Sequence, residues 1–405
     1  MRKARVVVIG SGPGAFFTVK QLIKQGASKI ERIDILEKLS TPYGLIRFGV
    51  APDHAEVKQV SNDFGKILQE RPVDVQLFTN CDVENKQTLD RLRDSYDAVL
   101  IATGAQESKR LALQRLPAYT FSAQDFVLWY NGHPLKRDLV LPDQPRNVSI
   151  VGHGNVALDV ARMLSKSEPE LRPLLNSGLL FDQAYEWLKK RQSLDGKKSV
   201  SVFGRRGYLD AAFTNKEFRE LTNISDAVCR VDPSELEFSV SHMAKIPDFD
   251  RAKARGLSIL SKCVEAKSQT GVSNEIFLRF FSTPIQYIGD PVKELIVKHR
   301  TGALEHVPTD LGIESIGFKV SDQFGFKIDE NTGGISHDGR GRVSGLPRVY
   351  VAGWAKRGPK GVIAANLPCS METADAMMED ISKEGNKLDL KKPLEFTNRY
   401  IPGVS

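Results

Sequence analysis

The sequence predicts an α/β fold of two doubly wound dinucleotide-binding domains, one inserted into the other. Three observations lead there. Near the start, the apolar strand Val6-Val7-Val8-Ile9 runs into the glycine-rich turn Gly10-Ser11-Gly12-Pro13-Gly14-Ala15 and then a helical pattern. The arrangement recurs at Val148-Ser149-Ile150-Val151, followed by Gly152-His153-Gly154-Asn155-Val156-Ala157. A late apolar strand, Val349-Tyr350-Val351-Ala352, ends at Gly353, as expected where a chain returns to its first sheet.

In order, the first part (1–104) reads as strand, turn, helix Ala15–Gln25, strand Arg32–Leu36 and helix Asp53–Gln69. It closes on the strand Ala98-Val99-Leu100-Ile101. Asp53 and Glu56 have the spacing of a capping box. The middle part (105–333) holds the second glycine turn, a helix Val156–Lys166, a helical insert Pro169–Gln192 and the strand Ser199–Phe203. A charged, irregular surface excursion is expected over Pro233–Gln269, before strands Ile276–Phe281 and Leu295–His299. The last part (334–405) adds the return strand and a helix from Val362 to Ser382. On this reading the first and last parts form one discontinuous domain.

The glycines are needed for geometry. Gly10 permits the tight turn, Gly12 lets the backbone approach a pyrophosphate, and Ala15 keeps helix and strand close. The pyrophosphate then meets a helix N-terminus, where N–H groups and the macrodipole attract anions. The residues beyond the two turns differ in charge. Glu37 ends the second strand of the first unit, where a carboxylate accepts hydrogen bonds from a bare ribose diol. The corresponding strand of the second unit ends in Gly204-Arg205-Arg206, where arginine forks suit a 2′-phosphate. One chain with both is most simply a flavoprotein moving electrons between FAD and NADP(H). Near the end, Gly353-Trp354 and Gly361-Val362-Ile363 bring together a strand end, a flat aromatic and a helix start. A helix start aimed at a flavin would stabilise its negative charge on reduction.

Composition narrows the class. The chain has 405 residues, 26% charged and 41% hydrophobic, ordinary for a globular protein. No apolar run approaches the ~20 residues that span a bilayer. Net charge of +7 suits an acidic partner: nucleic acid, an anionic membrane or an acidic protein. No basic block with interleaved aromatics supports nucleic acid. Met1-Arg2-Lys3-Ala4-Arg5 leads straight into the first strand, so no secretory or long transit segment is expected here: the address was removed, is very short, or the protein stays where it is made. Cys81, Cys229, Cys263 and Cys369 are far apart in sequence, with no C-x-x-C, so no zinc or iron–sulfur ligand set and no redox dithiol is expected. Electrons reaching a flavin would then leave to an acceptor outside the chain.

Longer motifs carry a resemblance. Gly44-Leu45-Ile46-Arg47-Phe48-Gly49-Val50-Ala51-Pro52-Asp53-His54, Gly154-Asn155-Val156-Ala157-Leu158-Asp159-Val160-Ala161-Arg162 and Gly204-Arg205-Arg206-Gly207 are three of them. Phe213-Thr214-Asn215-Lys216-Glu217 and the run from Gly353 to Ile363 are two more. Through nearly its whole length the chain resembles the adrenodoxin reductase family, FAD-containing ferredoxin–NADP reductases of mitochondria and their bacterial relatives. The resemblance implies FAD contacts at Gly14, Glu37, Leu45, Val83, Trp354 and Gly361, Val362 and Ile363. It implies NADP contacts at His153, Gly154, Asn155, Val156, Arg205, Arg206, Glu217 and Gly361. It implies proton handling by His54 and Asp159, and no metal. It further implies a monomer whose partner is an acidic 2Fe–2S ferredoxin docking on a basic surface, without carrying over individual docking residues. Independently of the resemblance, the charge run Lys245, Arg251, Lys253 and Arg255 reads either as steering charges for such a partner or as a solvated surface. The implied location is the mitochondrial matrix or a derived organelle, or the cytoplasm for a bacterial chain, and peripheral membrane contact is compatible with the charge. Three features depart from the pattern. The order Gly14-Ala15 is reversed, His153 stands where Gln or Asn is common, and the segment after Pro233 is short. An oxygen-using NADPH flavoenzyme and a nucleotide-binding module without turnover are the alternatives at this point.

Overall fold

The computed structural model describes residues 2–69, 72–112, 116–243, 251–265, 272–384, 390–392 and 394–402. The chain divides into two compact units. The first comprises Met1–Val50, His54–Glu107 and Phe318–Ser405, and the second Ser108–Gly317 with Ala51–Asp53.

The first unit is built on a parallel five-stranded sheet in the order Val349–Val351, Ala98–Ile101, Ala4–Ile9, Ile30–Leu36, Asp74–Phe78. The return strand thus pairs where its sequence pattern placed it. Both faces are covered, which explains the unbroken apolar runs. Val6, Val8, Ile33, Ile35 and Leu100 face one layer, and Val7, Ile9, Val99, Ile101 and Val351 face the other. The first layer is closed by two helices, Pro13–Gly26 and Asn366–Glu384. Pro13 suits the first helical position, and Ala15, Phe16, Val19 and Leu22 recur on one buried stripe. Gly26 is small for a packing reason, since a Cβ there would lie 2.5 Å from Met378 Cε.

The second layer moves a boundary. Val320, Phe324, Phe326, Ile335 and Val343 pack with Val7, Ile9 and Val99. The chain therefore rejoins its first unit after Gly317 rather than at 333/334, and leaves it after Glu107 rather than 104.

The second unit carries a parallel six-stranded sheet, Thr120–Ser122, Leu311–Glu314, Asn147–Val151, Lys198–Phe203, Asn274–Arg279, Ala227–Val231. One face is covered by helices, among them Ala123–Tyr130, Asn155–Ser165 and Asn215–Thr222. The other carries a three-stranded antiparallel sheet, Ser282–Ile288, Glu294–His299 and Leu304–Pro308. Tyr287 of that sheet lies over Gly312, where a Cβ would come 2.9 Å from its ring.

Three local expectations are corrected. The segment expected to be an irregular excursion contains two helices, Pro233–Met243 and Arg251–Glu265, whose Leu257, Leu260 and Cys263 join the core. Their helical spacing is hidden among charges. Lys245 lies outside the described residues. The helix expected over Asp53–Gln69 is two short helices, Ala55–Lys58 and Val60–Ile67. The N-cap of the first is His54, and Asp53 is instead ion-paired to Arg162, so the capping-box reading is replaced.

Candidate functional site

In the first unit the glycine turn leaves the mouth of the sheet at the carboxyl ends of its strands, where open α/β sheets bind ligands. Gly10 has φ of 98°, and a Cβ there would lie 2.6 Å from the Ala102 carbonyl oxygen. Gly14 packs on Gly353, and an added Cβ would come 2.9 Å from the Gly353 Cα. Gly12 is different. A Cβ there would meet nothing within 4 Å, although Gly44 approaches so closely that its own Cβ would lie 3.3 Å from Gly12 Cα. Bare backbone of Gly12 and Gly44 therefore borders open space at the start of the helix Pro13–Gly26. That is the cradle a pyrophosphate needs.

Glu37 is buried beside this cradle. One carboxylate oxygen accepts hydrogen bonds from Ser11 N and Oγ at 3.2 and 2.5 Å, the other from Leu39 N at 2.9 Å. A carboxylate has about four lone-pair sites, so these three bonds leave one for a ribose hydroxyl. Leu45 opens the turn of helix after Gly44, and Val83 is buried in the layer with Leu36 and Phe78. Trp354 starts the short helix Trp354–Arg357, its ring 5.6 Å from that of Phe318. Gly361 has φ of 82°, and Val362 caps a helical turn, Ile363–Ala365, that runs into Asn366–Glu384. The main helix therefore begins four residues after the expected Val362, with Val362 itself exposed. His54 is buried.

In the second unit, Gly152 has φ of 128° and a Cβ would lie 2.1 Å from the Ser315 carbonyl oxygen, whereas at Gly154 it would meet nothing within 4 Å. Asn155 Oδ1 accepts from Thr214 N at 2.8 Å, fixing the turn before the helix that carries Glu217. The Glu217 carboxylate accepts a hydrogen bond from the Thr214 hydroxyl. Val156 is half-buried and packs on the unit's core. Arg205 and Arg206 are exposed. Arg206 reaches Asp210 only at 3.8 Å, so both guanidinium groups are available to an anion.

The His153 side chain takes another direction. Its Nε2 lies 2.9 Å from the Val202 carbonyl, and its ring packs edge-on against Phe280 at 4.6 Å. Burial pushes its pKa down to about 4, so the ring is neutral. Gly204 makes this possible, because a Cβ there would lie 2.3 Å from His153 Nδ1. The imidazole is thus a packing group under the arginine turn.

Asp159 and Arg162 share one face of the helix Asn155–Ser165 and pair at 2.8 Å. Arg162 also forks onto Asp53, while Lys166 Nζ approaches Asp53 at 3.3 Å. Burial opposes the Arg162 charge, but the two carboxylates outweigh it and hold its proton more tightly than usual. Burial, reinforced by the same carboxylates, also holds the nearby Tyr130 hydroxyl protonated. In sequence Arg162 only closes the Gly154–Arg162 motif and has no role of its own, since an arginine at the end of a helix pattern reads as a surface residue. A thiol pair was equally hidden there. Cys229 and Cys263 are buried in one core, and the neighbouring Cys263 thiol together with burial pushes the Cys229 thiol well above its usual range. Of the expected steering charges, Lys253 donates to the Ala211 carbonyl at 2.6 Å and covers the Tyr208 ring, whereas Arg251 and Arg255 are exposed.

Comparison with known proteins supplies the family. A family model described as pyridine nucleotide-disulphide oxidoreductase matches residues 4–177. NADPH-ferredoxin reductase FprA of Mycobacterium tuberculosis is 34% identical, covering 95% of this chain and 86% of its own. Human mitochondrial NADPH:adrenodoxin oxidoreductase is also 34% identical, covering 93% and 79%. The structure of Mycobacterium tuberculosis FprA in complex with NADPH superposes with a TM-score of 0.86 at 31% identity, covering 96% and 87%. Thioredoxin reductase of T. acidophilum, at 15% identity and a TM-score of 0.53, shares the fold. With two open glycine cradles, Glu37 beside one and Arg205-Arg206 beyond the other, the chain belongs to the family of NADPH-ferredoxin and NADPH:adrenodoxin reductases.

Proposed function

We propose that this chain is an NADPH-dependent flavoprotein reductase that passes electrons from NADPH through FAD to an iron–sulfur ferredoxin. The observation that carries the reading is the contrast between the two nucleotide ends. Glu37 stands where a bare ribose binds, and two exposed arginines stand where a phosphorylated one binds. When bound, FAD supplies the chemistry, taking a hydride from NADPH and releasing electrons one at a time.

The residues do the rest. Gly12, Gly14 and Gly44 bring backbone against the FAD pyrophosphate, and Glu37 accepts from its ribose. Leu45, Val83, Trp354 and Gly361 to Ile363 line the flavin. Gly154, Asn155 and Val156 bring backbone to the NADP pyrophosphate, and Arg205 and Arg206 fork onto the 2′-phosphate, with Glu217 beside them. His54 and Asp159 would handle protons, with Arg162 keeping the Asp159 carboxylate in place.

An acidic 2Fe–2S ferredoxin is the partner, drawn to a basic surface that includes Arg251 and Arg255, and the working unit is a monomer. Four free cysteines suit a reducing compartment, the bacterial cytoplasm or the mitochondrial matrix.

The test is spectroscopic. The purified protein should be yellow, bleach on addition of NADPH without oxygen, and regain colour while reducing a 2Fe–2S ferredoxin. A yellow protein that bleaches but reduces no ferredoxin would overturn the acceptor. A colourless one would overturn the flavin. Substituting both arginines, Arg205→Ala with Arg206→Ala, should weaken NADPH binding and spare FAD.

A further inference from the structure

The arginine turn is held from outside by a layer of aromatic side chains and backbone hydrogen bonds. Gly204 and Arg206 offer their carbonyls to Ser282 N at 2.9 Å and Phe281 N at 3.2 Å. Phe281 adopts φ of 49°, a left-handed conformation that a bulky residue takes only when its surroundings demand it. Its ring lies on Gly207, where a Cβ would come 2.3 Å from Phe281 Cζ. Phe238, from the helix Pro233–Met243, meets the Phe281 ring edge-on at 4.6 Å. Arg300, at the tip of the hairpin between Glu294–His299 and Leu304–Pro308, lays its guanidinium 4.8 Å over the Phe238 ring and 5.3 Å from that of Phe281. Arg300 and Phe238 are both exposed.

Among the described residues, no carboxylate lies within ion-pairing distance of Arg300. Asp232 and Glu235 act on it only through longer-range charge. Two aromatic rings thus hold a third cation beside the turn that carries Arg205 and Arg206. A guanidinium immobilised on aromatic faces loses little entropy on taking a second partner, and it presents its edge to phosphate or its plane to a purine.

We infer that Arg300, supported by Phe238 and Phe281, is a specificity-determining residue for the adenosine 2′-phosphate end of NADPH. This rests on the assignment of Arg205 and Arg206 to that end. Arg300 adds positive charge to the phosphate, and Phe238 and Phe281 keep it from swinging into solvent.

The test compares KM for NADPH and for NADH, measured on the FAD-loaded enzyme, in four variants. Arg300→Ala should raise KM for NADPH about tenfold and change KM for NADH less than twofold. Arg300→Lys should give an intermediate NADPH effect, because charge is kept and stacking lost. Phe238→Ala should raise KM for NADPH with Arg300 still present. Arg205→Ala is the control for the underlying assignment. Equal changes with both nucleotides, or no change, in Arg300→Ala would overturn the inference if Arg205→Ala still discriminates. If Arg205→Ala is also indifferent to the 2′-phosphate, the site assignment itself falls and the inference with it.

Discussion

The Arg162 guanidinium forks onto the Asp53 carboxylate, with Nε 2.6 Å from Oδ2 and Nη2 2.9 Å from Oδ1. Nη2 also binds Asp159 at 2.8 Å. One buried cation thus fixes both the Asp53 and the Asp159 carboxylates. Removing one member of a buried pair leaves the other charge uncompensated. Arg162→Ala should lower the stability of the FAD-loaded protein by roughly 3–5 kcal/mol in urea unfolding. Arg162→Lys should recover little, because an ammonium cannot reproduce the fork. A loss below about 1 kcal/mol, the scale of an exposed pair, would contradict the role.

Gly12 and Gly14 should separate folding from FAD binding. Gly14→Ala drives a methyl into the Gly353 backbone at 2.9 Å, so the turn must shift. The helix preference for Ala, about 1 kcal/mol, does not offset a backbone clash. Both stability and FAD retention should fall. Gly12→Ala points into open space, so unfolding should change little while FAD is lost on gel filtration. Full FAD retention in Gly12→Ala would show that the cradle lies elsewhere.

Glu235 gives a pH dependence with a defined sign. Burial pushes its carboxyl up to about 7, against the hydrogen bond from Phe280 N and the charges of Arg279 and Arg300, with Asp232 reinforcing the rise. The folded state therefore binds a proton that the unfolded chain releases near pH 4.5. The stabilisation is complete below that pH and is lost as pH rises through about 7. A shift of this size corresponds to about 3 kcal/mol. Glu235→Gln should remove this fall and leave stability flatter over the window. The neutral His153 imidazole works in the opposite direction, since its pKa of about 4 makes stability rise with pH up to the usual histidine value. The effect of Glu235 should therefore be read as variant minus parent, by denaturant titration at several pH values. An unchanged profile in Glu235→Gln would refute the assignment.

The thiols should divide by burial. Cys229 and Cys263 sit in the core with the Cys229 proton held tightly, so an aromatic disulfide reagent should reach neither before unfolding. Cys81, half-exposed, should react first in the native protein. Rapid native labelling of all four would mean that the core around the strand Ala227–Val231 opens readily.

Much of the fold was legible because it is written in short-range pattern. Strand runs buried on both faces, such as Val6–Ile9 and Val148–Val151, need no partner to be recognised, and a glycine turn beside them has one main use. Glu37 and Arg205-Arg206 were legible for the same reason, since each ends a strand next to its turn, so chain order alone fixes position. What the tertiary structure decided depends on contacts between distant residues. Asp53 could pass for a helix cap until Arg162, on another element, claimed it. His153 could pass for a loop residue facing a ligand until Gly204 opened room for its ring to turn inward. Cys229 and Cys263 became neighbours only when a helix disguised by its charges packed on its strand, and Arg300 joined the arginine turn only because two phenylalanines from separate segments, packed edge-on, lie beneath it. Sequence by itself determined the two nucleotide-binding units and the charge that distinguishes them, because local periodicity and chain order carry that information. The partners of buried charges and rings were decided by three-dimensional packing, where low dielectric and close contact make each pairing specific.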